Sequence, residues 1–336
     1  MIRELRATGT TGTAPDTERD EAKDPMAPPL QMLDFEPRST DSQRERFEAL
    51  RGQAVEAVQH SDFETAYERL GEALEVAHEI GDPDLVDRAV CGRASAGQEL
   101  GIEAPKAELR DALMRSSDLE NCFLAGYTLS VHFELQREYR KSLFYARIAE
   151  SYAERLQRQV WRASSYNQIA RMKLALSFFD EACRDYEKAL ELIPENAEVE
   201  RALIFDNLGY CRIIQGRHKE GFSLLFASLR ALQRLSARRY QIGPRLSLCF
   251  AYLDIGRCRR AIRHGFRALE IAESEGDARS TKKALYLLGE TANQAGATVL
   301  ARRFYTRLQS EFFPQEEALP DLLLAVDARK LVNLGA

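Results

Sequence analysis

From residue 44 onward, apolar residues recur three and four positions apart with hardly a break, the period of one helical face. Phe222, Leu225, Phe226, Leu229 and Leu232 show the pattern plainly and predict one apolar side of one helix. The alternation that a half-buried strand needs extends over no useful length. Helix-ending residues fall between the periodic segments at intervals of a dozen or more, so the chain is predicted to be all-α.

The segments repeat. Ser61, Gly101, Arg137, Ser177, Gly216, Gly256 and Gly296 each stand between two helical stretches, at spacings of 40, 36, 40, 39, 40 and 40 residues. Seven hairpins would fill roughly 45–312. At one phase of each first helix the chain has Ala54, Ala94, Ser130, Ala170, Gly209, Cys249 and Gly289, all small. The matching phase of each second helix has Ala66, Lys106, Ser142, Ala182, Gly221, Ala261 and Ala301. Small residues at fixed phase are what two closely crossing helices require. Large apolar residues such as Leu129, Ile169, Leu208, Leu248 and Leu288 stand just before them and supply the area that stacked hairpins bury. The second hairpin breaks the pattern: Lys106 replaces a small residue and the period drops to 36. Either its second helix is shifted by one residue, with Ala107 at the packing position, or the stack bends there.

The stretches NLGYCRIIQGRHKEG, DEACRDYEKALELIPENAEVE and RRAIRHGFRALEIAESEGD resemble tetratricopeptide repeats. The best matches are Leu208-Gly209, Gly216 and Gly221; Ala182, Tyr186, Ala189 and Pro194; and Leu288-Gly289, Gly296, Ala301 and Tyr305. The period departs from that family's usual 34 residues and is similar to its longer variant, found in cell-polarity adaptors, kinesin light chains and bacterial peptide-sensing regulators. Six extra residues add about 9 Å of helix, part of a turn to each blade. The resemblance implies a right-handed superhelical solenoid of about seven antiparallel hairpins. In ALEVAHEIGDPD and ALEIAESEGDAR, Gly-Asp is expected to close one helix with a left-handed residue and cap the next.

Residues 1–43, rich in Thr, Gly and Pro, are expected to be a mostly disordered tail, with Leu33 and Phe35 able to dock on the first hairpin. Residues 44–314 form the solenoid. In 315–336, Leu322, Leu323, Val326 and Leu331 can line one side of a helix beginning near Pro320, which caps the last hairpin or docks a partner. Either reading bears on oligomeric state: an intramolecular cap gives a monomer, the preferred expectation, and a docking helix gives a homodimer.

Composition adds less. The 45% hydrophobic and 29% charged content suits a folded core, and no apolar run approaches the length of a membrane span. With no apolar leader at the N-terminus, the expected address is cytoplasmic and no membrane partner is expected. Six scattered cysteines read as buried or half-buried thiols. The net charge of -5 conceals a polarity: residues 61–120 hold 15 acidic against 6 basic residues, and residues 201–310 hold 20 basic against 8 acidic.

The chain lacks the phosphate loop, dinucleotide fingerprint, zinc-protease, nucleophile-elbow and calcium-loop motifs. The five histidines, His60, His78, His132, His218 and His264, have no ligand-like spacing. Nothing predicts an enzyme, a metal or another cofactor.

First helices line the inner side of such a solenoid. The repeat phase places Arg88, Tyr127, Glu134, Asn167, Gln168, Arg171, Asp206, Asn207, Tyr210, Phe250, Tyr286, Glu290 and Asn293 there. Amides hydrogen-bond an extended peptide backbone and tyrosines add contact area with a hydroxyl. In related solenoids such asparagines hold a ligand's main chain; the rival reading of Asn167 and Asn207 is a bond to the neighbouring helix. Arg257, Arg259, Arg260, Arg263 and Arg267 make a separate basic surface, suited to an acidic protein partner and, as the less favoured alternative, to nucleic acid. The expected function is a non-catalytic adaptor or sensor that binds a protein or peptide in the concave groove. The alternatives are a structural scaffold, an accessory to a catalytic partner, and a regulatory protein associated with nucleic acid.

Overall fold

The computed structural model describes residues 42–59 and 62–325; residues 1–41 of the expected N-terminal tail, Ser61, Val326 and Leu331 lie outside them, while Ser42 and Gln43, expected in the tail, open the first helix. Every long element within these residues is an α-helix. Seven hairpins follow one another: α1 (Ser42–Gln59) with α2 (Phe63–Ile80), α3 (Pro83–Glu99) with α4 (Lys106–Arg115), α5 (Leu119–Leu135) with α6 (Tyr139–Arg155), and α7 (Gln159–Ala175) with α8 (Phe179–Leu192). Then come α9 (Glu198–Ile214) with α10 (His218–Arg234), α11 (Ile242–Asp254) with α12 (Cys258–Ser274), and α13 (Ala278–Gln294) with α14 (Thr298–Phe312). A short helix, α15 (Leu319–Ala325), closes the series.

The repeat marker has a backbone meaning. Gly101, Arg137, Ser177, Gly216, Gly256 and Gly296 are all left-handed, with φ between 60° and 76°. Each ends its first helix by the same pair of bonds. At Gly216 its own N–H donates to the Ile213 carbonyl at 2.9 Å and the Arg217 N–H reaches back to the Arg212 carbonyl at 2.9 Å, closing the last turn. Gln157, Ser236 and Gly276 end second helices in this way too. Gly81 is left-handed at φ 73° with one bond to Ala77, and Asp82 and Asp277 then accept from Asp84 N–H and Ser280 N–H, as the Gly-Asp pairs predict.

The small positions are helix crossings. Ser142 Oγ donates to the Ser130 carbonyl at 2.7 Å and lies 3.1 Å from the Ser130 hydroxyl. A Cβ on Gly289 would come 2.3 Å from the Tyr305 ring, so only glycine fits beneath that tyrosine. The second hairpin shows why its phase fails. Ala107 is exposed and Lys106 half-buried, so neither packs; α4 is only ten residues long and buries Leu109 and Ala112. The one-residue shift does not occur: the connection Gly101–Pro105 takes up the first turn instead, and Ala104 is buried there.

The chain divides into two compact units. One holds residues through Gln168 together with Glu191–Glu200, the other Ile169–Leu190 together with the residues from Arg201 onward. In the first unit α3 packs on α5 as well as on α2 and α4, and Phe123 stacks on the fully buried Trp161 with ring centroids 4.4 Å apart. In the second, α11 packs on α12 and α13 around a core that includes Leu225, Leu248, Leu285, Leu288 and Tyr305.

The cap belongs to this second core. Leu323 and Leu324 pack against it while Leu322 points outward at 57% exposure, the reverse of the face expected for Leu322. Asn293 Nδ2 donates to the Leu324 carbonyl at 3.4 Å, and Arg302 pairs with Asp321 at 2.7 Å. Pro320 is buried, and Leu324 rather than Leu322 packs on the core.

Candidate ligand-receiving face

The first unit holds its inward-phase residues tightly. The Arg88 guanidinium bonds Asp118 and, at 3.4 Å, Asn121 Oδ1, tying α3 to α5. Tyr127 is half-buried and stacks on Phe123 at 5.8 Å. Gln168 is fully enclosed and donates its amide to Glu134 Oε2 at 2.9 Å. Asn167 is buried at 8% exposure.

The second unit brings more of the predicted residues together. Asp206 on α9 is buried at 7% exposure, with its Oδ2 pressed over Gly243, where a Cβ would stand 2.6 Å from it. Any side chain at position 243 would displace that carboxyl. Ser247, one turn along α11, hydrogen-bonds the carboxyl, and Lys283 on α13 lies close enough to stabilise its charge. Oδ1 has no hydrogen-bond partner. Burial dominates over Ser247 and Lys283 and pushes the Asp206 pKa up to about 7. One turn on, Tyr210 is buried at 8% exposure with its ring 5.2 Å from Phe250, while Asn207 is half-buried. Three successive first helices, α9, α11 and α13, thus contribute one acceptor oxygen without a donor, two aromatic rings and a lysine.

Arg171 is half-buried on α7, Tyr286 is half-buried on α13, Glu290 accepts from the Tyr305 hydroxyl inside the core, and Asn293 serves the cap. The arginine surface is open: Arg257, Arg259, Arg260, Arg263 and Arg267 are exposed, with Arg260 5.6 Å from the Tyr252 ring centre and Arg267 paired to Glu270.

Two groupings escape the repeat phase. Gly243, Ser247 and Lys283 surround Asp206; the glycine before Pro244 is their one signal in the sequence, a sign of close approach at a helix start. Cys183 and Cys211, 28 residues apart, meet between α8 and α9.

Among the described residues no group of three or more His, Cys, Asp or Glu is arranged to hold a metal ion, and no helix is long and apolar enough to cross a membrane.

This geometry defines a tetratricopeptide-like helical-repeat solenoid. Solved structures agree on the fold. A Rap protein complexed with competence and sporulation factor superposes with a TM-score of 0.69 at 12% identity, over 85% of this chain and 81% of that one. The apo form of RapI gives 0.56 at 12%, over 88% and 85%. A signal transduction ATPase with a tetratricopeptide repeat sensor, from Pyrococcus horikoshii, gives 0.57 at 14%, over 86% of this chain and 49% of that one. No protein-family model and no curated protein sequence matches the chain.

Proposed function

We propose that this chain is a non-catalytic receptor of the longer-period tetratricopeptide type, which takes an extended peptide or an exposed protein segment on the first-helix face of its second unit. The observation that carries the reading is Asp206 Oδ1, a buried acceptor with no donor, beside the Tyr210 and Phe250 rings. A buried acceptor without a donor costs free energy that a ligand N–H or ammonium recovers on binding, and the rings supply area for the residue that follows. Support by analogy comes from the Rap protein, which shares the fold and is complexed with competence and sporulation factor. The proposed working state is a cytoplasmic monomer, with α15 packed on its own unit.

The test is binding of fluorescent linear peptides from a random library to the purified chain, followed by titration of the hits. Asp206→Asn and Tyr210→Ala are expected to weaken binding at least tenfold each, with circular dichroism unchanged. Asn207→Ala, on the same helix, is expected to cost ~1–3 kcal/mol if its amide holds the ligand backbone. Equal affinities in all three folded variants would overturn the reading.

A second contact is proposed on α12, because Arg259, Arg260, Arg263 and Arg267 are exposed along one helix. Its proposed partner is an acidic protein segment. Binding of an acidic peptide that is lost in Arg259→Glu/Arg263→Glu supports it; a sequence-specific gel shift with DNA or RNA that persists at high salt would replace it with the nucleic-acid reading.

A further inference from the structure

Five of the six cysteines are buried and all are free thiols. Most are inert by environment. Burial pushes Cys249 up to about 12 and drives Cys91 and Cys122 upward as well, so these three stay protonated. Cys183 on α8 and Cys211 on α9 differ, because they face each other with their sulfurs 2.7 Å apart. A covalent S–S bond is about 2.05 Å, so closing one asks for about 0.7 Å of movement.

The surroundings hold that geometry. Cys211 Sγ lies 3.4 Å from the Phe179 carbonyl, and Cys183 Sγ lies 3.4 Å from Gln215 Oε1. Gln215 is fixed in turn by Arg212 Nη1 at 2.9 Å and by its own Nε2 donating to Asp180 at 2.7 Å. The Arg212 guanidinium also bonds Glu187, so α9 grips α8 on both sides of the sulfurs. The two thiols are unequal. The hydrogen bond between the two sulfurs, helped by the Arg212 charge, holds the Cys183 thiol below the ordinary thiol range, and the same bond with burial pushes Cys211 up.

We propose that Cys183 and Cys211 form a reversible disulfide when the protein meets hydrogen peroxide, a covalent tie between α8 and the helix that carries Asp206 and Tyr210. The Cys183 thiolate attacks one peroxide oxygen: an S–O bond forms, the O–O bond breaks, and the departing hydroxide takes up a proton to leave as water. Cys183 is then a sulfenic acid, its sulfur two electrons poorer. Cys211 sulfur attacks that sulfur, the S–S bond forms, the S–O bond breaks, and the leaving hydroxide takes the Cys211 proton as a second water. Two thiols and one peroxide give one disulfide and two waters. A dithiol reductant reverses the step by exchange. Both sulfurs are at most 2% exposed, which favours a water-sized oxidant over a bulky disulfide.

The test treats the full chain, with the half-buried Cys258 replaced by serine, with hydrogen peroxide under native conditions. Alkylation in denaturant and peptide mapping follow. A linked peptide pair holding Cys183 and Cys211, about 2 mass units lighter than the two reduced peptides and lost on dithiol treatment, is the expected result. Glutathione disulfide is expected to act at least tenfold more slowly. In Cys211→Ser the Cys183 sulfenic acid is expected to persist and be trapped by dimedone. The proposal is overturned if both cysteines are recovered fully alkylated after peroxide, or if Cys183 advances to the sulfinic acid unlinked. Should either serine variant misfold, the map of the peroxide-treated chain decides alone.

Discussion

Gly221 lies directly against Gly209: a Cβ on Gly221 would stand 2.8 Å from the Gly209 carbonyl oxygen and 2.6 Å from Ile213 Cδ1. Helices α9 and α10 therefore cross at backbone distance with no room for a methyl group. Gly221→Leu is expected to lower stability by ~1–3 kcal/mol or more through overpacking. Ala182→Leu, at the same phase of α8 and fully buried, is expected to behave alike. Chemical denaturation reads the midpoint, and an unchanged midpoint would remove these positions from the crossing.

Asp206 and His264 are expected to shape stability against pH in opposite directions. The Asp206 pKa is raised to about 7 from 3.8, so the unfolded chain holds fewer protons than the native one between those values, and stability falls as pH rises through that window. His264 is depressed to about 4 from 6.5, by burial first and then by Arg245 and Arg263, so its contribution is present above pH 6.5 and is lost as pH falls toward 4. The two slopes oppose each other. Asp206→Asn is expected to gain ~2–4 kcal/mol over wild type at pH 8 and almost nothing at pH 3.5. Denaturant titrations at four pH values check it, and a gain that does not vary with pH would show that the carboxyl is ionised freely in the fold.

Ser177 and Arg137 occupy left-handed corners at φ 66° and 60°, where a Cβ is strained. Ser177→Gly is expected to stabilise by ~0.5–1 kcal/mol, and Gly216→Ala, at the equivalent corner, to destabilise by about as much. Thermal unfolding of both variants in parallel tests the assignment. The same sign for both would contradict it.

Arg51 is buried at 1% exposure beside the Phe47 ring, paired with Glu48, and burial lowers its pKa to about 10. Removing the partner alone leaves a buried charge. Glu48→Gln is expected to cost ~2–4 kcal/mol, whereas Arg51→Met, which removes the charge itself, is expected to be close to neutral. A double-mutant cycle by urea denaturation separates the two effects.

The repeat was legible because its two demands are local. A small residue wherever helices cross, and a residue able to turn left-handed where a first helix ends, both leave a mark at fixed phase; even Arg137 and Ser177 are placed by spacing rather than by type. The second hairpin was not legible in the same way. Its packing depends on where α4 begins, and Lys106 and Ala107 look equally eligible until the connection before them is seen to take up a turn. At the cap, Leu323 packs on the core as its phase predicts, whereas Leu322 faces outward and Leu324 takes its place, since so short an apolar run does not fix a helical phase. In the receiving face, phase singled out Asp206, Tyr210 and Phe250, but the features that set the character of Asp206 come from Gly243, Ser247 and Lys283 on other hairpins. The meeting of Cys183 with Cys211 has no sequence periodicity at all.

The corners carry one more consequence. Each is completed by two main-chain bonds, as at Arg217 to Arg212 and Gly216 to Ile213, so the letter standing there is nearly free. The crossings ask only for something small and the stripes beside them only for something large. A lineage of such hairpins can therefore replace almost every residue while the phase persists. Agreement in shape at 0.69 beside agreement in letters at 12% fits that tolerance, since the phase of small and large residues sets the fold. The fold in this architecture is written in rhythm rather than in spelling.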